Sequence, residues 1–101
     1  MSMEANPTIV TQAHSLYYAQ GRRAEALALL EAELARYPNE EETEGFLAFL
    51  YATEGRYLDA LRLFTRLIDR NPLPRYMSNI FFCRTAAAGR IMDGLPINGD
   101  A

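Results

Sequence analysis

The chain has 101 residues, a formal net charge of −3, ten arginines, no lysine and a single cysteine, Cys83. A chain of this length can bury only a thin core, so each element must be amphipathic, and arginines spread from Arg22 to Arg90 without a cluster give no footprint for a phosphate backbone. One cysteine excludes an internal disulfide, and the longest apolar run, residues 46–52, is far too short to span a bilayer.

The opening residues, MSMEANPTIV, contain no basic region followed by an apolar stretch, so a cytoplasmic location is expected. Fifteen alanines, with arginine used for every positive charge, are a compositional hint of a GC-rich bacterial genome. A first helix is predicted over about 7–19, broken at Gln20-Gly21. The next, over 22–36, spaces Ala26, Leu27, Leu29, Leu30 and Leu34 at helical intervals and stops before Pro38, which disfavours helical backbone at Tyr37. Asn39 is positioned to cap a third helix, 41–53, that opens on glutamates. A fourth over 56–70 follows the turn at Glu54-Gly55 and is closed by Asn71-Pro72, and a fifth runs from about 75 to 88. Alternating apolar patterning is absent, so the fold class is all-α.

The same plan is written twice. Laying residues 7–40 over 41–74 without gaps pairs Leu16 with Leu50, Tyr17 with Tyr51, Gly21 with Gly55, Arg22 with Arg56, Ala26 with Ala60, and Pro38 with Pro72. A fixed period of this length implies helix pairs that cannot cover their own apolar faces and must stack on neighbours.

These residues resemble the tetratricopeptide repeat family, whose helix-turn-helix unit has this period and a pattern of small and large residues at set places. The second copy carries Leu47, Ala48, Tyr51, Ala60, Phe64 and Pro72 at the matching positions; the first carries Ala13, Tyr17, Ala26, Leu30 and Pro38. The resemblance implies a single domain of two full repeats, 7–40 and 41–74, a third first-helix over 75–91 and a tail over 92–101. Three residues depart from the pattern. Glu44 replaces a large apolar residue, Glu33 replaces an alanine, and His14 stands where a small residue lets the helices touch. His14 itself is expected to be a half-buried packing residue, with no sequence-adjacent carboxylate or second histidine to make it a ligand.

The fifth helix lacks its partner. Gly94, Pro96 and Gly99 follow too closely for another helix, leaving a turn or an irregular tail. Three covers for its apolar side stay open: the tail through Ile91, Leu95 and Ile97, a second copy of the chain, or a different protein. Met77, Phe81 and Phe82 are the candidate oligomer interface. The resemblance also implies a concave groove lined by first helices, with Tyr18, Phe46, Phe49, Tyr76, Asn79 and Ile80 as candidate peptide-binding residues; for Phe46 and Phe49 the alternative is a place in the core. The expected role is that of an adaptor or chaperone for an apolar peptide or amphipathic helix, similar in size and charge to the small chaperones of type III secretion. The alternative is a self-assembling scaffold. No catalytic, cofactor or metal-binding constellation is expected. Glu40–Glu44 read as a solvated, dipole-favoured helix start, and Cys83 as a small hydrophobe.

Overall fold

The computed structural model describes residues 8–98; Pro7 and residues 99–101, included in the predicted repeat and tail, lie outside it. The described residues form α1 (Thr8–His14), which continues as a π-helical stretch (Ser15–Ala19), then α2 (Arg23–Arg36), α3 (Glu41–Thr53), α4 (Tyr57–Arg70) and α5 (Pro74–Met92). The chain divides into two compact units, Met1–Leu47 and Ala48–Ala101.

In the first unit α1 and the π-helical stretch pack on α2. Ala13, Tyr17, Ala26, Leu27 and Leu30 are buried, as one face of each amphipathic helix requires. The helix ends at Arg36 because Tyr37, held before Pro38, takes a non-helical backbone (φ −133°, ψ 76°). The cap of α3 falls one residue later than predicted. The Glu40 carbonyl, not that of Asn39, accepts the first helical bond, from the Glu44 N–H at 3.0 Å.

The π-helical stretch corrects the repeat register. Ala48 precedes Gly55 by seven residues, whereas Ala13 precedes Gly21 by eight. A wide turn absorbs one extra residue. In consequence the Arg22 N–H closes onto the Leu16 carbonyl (2.8 Å), where Arg56 closes onto Tyr51 (2.8 Å), the counterpart of Tyr17. Ala13 is thereby fully buried and His14 turns out to the surface. The bulky residue expected to obstruct the helix contact is not at that contact, and the gap-free overlay slips by one before Tyr17.

In the second unit α4 packs on α5. Ala60, Leu63, Phe64 and Leu67 form the buried face of α4, with Arg62, Arg66 and Asp69 outside. The turn between α3 and α4 is a Schellman motif. The Arg56 N–H reaches Tyr51 O (2.8 Å) and the Gly55 N–H reaches Ala52 O (3.1 Å), with Gly55 at φ +78°, where a side chain would be strained. Arg56 then lays its guanidinium over the Tyr51 ring, 4.4 Å from the centroid.

Helix α5 is longer than its sequence suggests. It passes through Gly89, the predicted stop, and ends at Met92. The terminating signal is a second Schellman motif, with the Leu95 N–H on Arg90 O (2.7 Å), the Gly94 N–H on Ile91 O (3.0 Å) and Gly94 at φ +72°. Pro96 follows immediately, which removes any chance of resuming the helix.

The two glutamates that break the family pattern, Glu33 and Glu44, are buried in their elements, together with Thr43. The positions remain core positions although glutamates occupy them.

Candidate interaction surfaces

The six predicted groove residues separate into different environments. Tyr76 is buried, 4% exposed, with its ring centroid 6.3 Å from that of Phe64. It is a core residue of the α4–α5 pair and not a surface anchor, because the turn at Asn71–Leu73 starts α5 with Tyr76 facing α4. Asn79 and Ile80 are half-buried. Phe49 is 46% exposed, so the core alternative does not describe it, while Phe46 is half-buried.

In the first unit Tyr18 and Phe46 meet around His14. The imidazole lies 4.7 Å from the Tyr18 ring and 6.0 Å, stacked, from Phe46, and Tyr17 approaches Tyr18 edge-on at 4.9 Å. His14 is exposed rather than half-buried. The side chain that the wide turn expels from the helix contact becomes the centre of a surface aromatic cluster. Among the described residues no group of three histidine, cysteine or carboxylate side chains could hold a metal.

The second surface is the outer face of α5. Met77, Phe81, Ala88, Ile91 and Met92 recur at intervals of three, four and seven, which puts them on one stripe. Phe81 is 73% exposed, Met77 53%, Ile91 61% and Met92 86%. A neighbouring stripe of the same helix, Tyr76, Cys83 and Ala87, is buried. Phe82 stands to one side, exposed yet in edge contact with Tyr57 at 6.5 Å. Cys83 lies inside, and burial pushes its thiol pKa up by desolvation, so it is a protonated packing residue at neutral pH.

The described part of the tail, as far as Asn98, does not cover this stripe. It turns at Gly94 and runs to the start of α4, where the Tyr57 N–H donates to Ile97 O (3.1 Å) and Arg56 and Asn98 form an isolated antiparallel bridge. Asn98 Oδ1 accepts the Asp59 N–H (3.1 Å), and its Nδ2 donates to Asp59 Oδ2 (3.2 Å). Helix α4 has no side-chain cap at Arg56, and Asn98 supplies one from 39 residues away. The Arg90 Nε donates to the Pro96 carbonyl and fixes the return. Sequence reasoning found the tail's apolar residues but not Asn98, whose only signal is a polar, cap-forming side chain after a helix stop.

Paired α-helices with an exposed apolar stripe define a helical-hairpin protein. The chain belongs to the tetratricopeptide repeat family, whose model matches residues 17–78. The match opens at Tyr17, within the wide turn, and leaves out the stretch whose register that turn shifts. Repeats of this family generally mediate protein–protein interaction. No curated protein and no solved structure matches the chain, and the likeness to secretion chaperones gains no support from the comparisons. No helix among the described residues is long and apolar enough to cross a membrane.

Proposed function

We propose that the chain is an interaction module that shelters an apolar segment of another protein on the outer face of α5, in the manner of an adaptor or chaperone. The observation that carries this reading is the stripe from Met77 to Met92, which stays open although the chain folds its own tail back beside it. The tail's hydrogen bonds hold it on the start of α4, so it is committed elsewhere. Large side chains on one exposed helix face suit the apolar side of an amphipathic helix, with Phe81 as the aromatic anchor.

The His14–Tyr18–Phe46 cluster supports a second contact of the same kind in the first unit, through aromatic rings with little conformational entropy to lose. Phe81→Glu tests the reading, because the side chain is already largely in water and its replacement should leave the fold unchanged. Binding of a fluorescent amphipathic helical peptide should fall at least tenfold while the melting curve stays in place. Peptide binding unaffected by Phe81→Glu would remove α5 from the interaction. A chain that grows in size with its own concentration, by equilibrium sedimentation, would favour the self-assembling scaffold instead.

A further inference from the structure

The chemistry of the segment that occupies α5 is written in the charges around the stripe. Helix α5 contains three arginines, Arg75, Arg84 and Arg90, and no acidic residue, and residues 57–92 as a whole carry six arginines against Asp59 and Asp69, a surplus of four. This is the reverse of the whole chain, which is net negative. Two of the three α5 arginines are engaged locally. Arg75 lies over the Tyr76 ring at 5.0 Å and donates to its hydroxyl at 3.2 Å, and Arg90 holds the Pro96 carbonyl. Arg84 is exposed and has no partner among the described residues, and it sits within the apolar stripe, three residues after Phe81 and four before Ala88.

An occupant that covers Phe81 and Ala88 must also desolvate part of Arg84, which is unfavourable unless the occupant brings an acceptor for it. From this complementarity, and resting on the reading of α5's outer face as the docking surface, we infer that the partner is an amphipathic helix with a carboxylate at the edge of its apolar face, seated against the Arg84 guanidinium. The planar fork of arginine takes a carboxylate through two parallel hydrogen bonds, which also fixes the register of the incoming helix along α5. The apolar residues supply contact area and Arg84 supplies discrimination.

Three helical peptides of about 20 residues test this, long enough to hold their helix in water. They share a Leu-Ala apolar stripe and differ only in glutamate, glutamine or lysine at one central edge position. Anisotropy with the full chain should rank glutamate above glutamine above lysine, with about a fivefold gap between the first two. The gap should shrink in high salt and vanish in Arg84→Gln.

Equal binding of the glutamate and glutamine peptides would overturn the charge assignment and leave the apolar surface standing. No binding of any peptide would overturn both. Flotation with anionic vesicles in place of peptide binding would point the same stripe at a membrane, and Arg84-dependent self-association in sedimentation would make a second copy the occupant. Either outcome also overturns the inference.

Discussion

Replacing Asn98 with alanine isolates the contact by which the C-terminal segment holds α4. The substitution removes the acceptor for the Asp59 N–H at 3.1 Å and the donor to Asp59 Oδ2 at 3.2 Å, and leaves the backbone bond from Tyr57 to Ile97 with no side-chain anchor beyond it. An N-cap of this type contributes about 1 kcal/mol, and nothing at Arg56 substitutes for it. The second hydrogen bond is exposed and adds little. For a domain of this size about 1 kcal/mol lowers the melting temperature by about 4–8 °C. Asn98→Asp separates the two bonds, since an aspartate keeps the acceptor but sets a second carboxylate beside Asp59. Its melting temperature should lie between those of wild type and Asn98→Ala, and should approach wild type in high salt. The local readout is amide exchange, in which the Tyr57 and Asp59 N–H groups should exchange faster while the middle of α5 stays protected. An unchanged melting temperature with the Asp59 amide still protected would refute the assignment of Asn98 as the cap.

Ala60 is fully buried where α4 needs a small residue, so Ala60→Leu should overpack it and cost about 1–3 kcal/mol in urea unfolding. Gly55 and Gly89 should respond to alanine in opposite directions. Gly55→Ala forces a side chain onto φ +78° and should cost about 1–2 kcal/mol, whereas Gly89→Ala, in mid-helix with nothing within 4 Å of the added carbon, should gain about 0.5–1 kcal/mol. Because burial raises the Cys83 pKa, the folded chain keeps that proton at a pH where the unfolded chain releases it. The stability it contributes is complete below the thiol's ordinary pKa and is lost as pH rises through the raised value. Thermal melts of wild type should therefore fall more steeply in alkaline buffer than those of Cys83→Ala.

Most helix boundaries are legible in the sequence because their causes are local. Pro38 acts on Tyr37, Pro72 acts on Asn71, and Gly55 supplies the left-handed residue its turn demands. Gly89 misleads because a glycine inside a helix costs only about 1 kcal/mol, which the intact hydrogen-bond ladder and the buried Ala87 can outweigh. The Schellman geometry at Gly94, with Pro96 behind it, is the stronger signal. His14 misleads for a different reason. A constant repeat period places it at the helix contact, but one extra residue in a wide turn moves Ala13 inward and His14 outward with no trace in the spacing of Gly21 and Gly55.

At the candidate site, Met77 and Phe81 are recognisable as exposed because the helix stop at Gly94 and Pro96 leaves their face without a following partner. The burial of Tyr76 is not, since a tyrosine at the start of a helix fits either side until α4 is in place. The tail's destination is illegible in principle, because a contact between residues 59 and 98 leaves no local pattern.

Thiol accessibility of Phe81→Cys gives the most direct test of whether α5 carries an open face. Native Cys83 is fully buried and serves as an internal reference that should not react until the chain unfolds. At micromolar concentration the introduced thiol should be modified by a maleimide at close to the rate of an unfolded peptide. Protection of the introduced thiol in the free chain, comparable to that of Cys83, would mean that the face is already covered and would contradict the account.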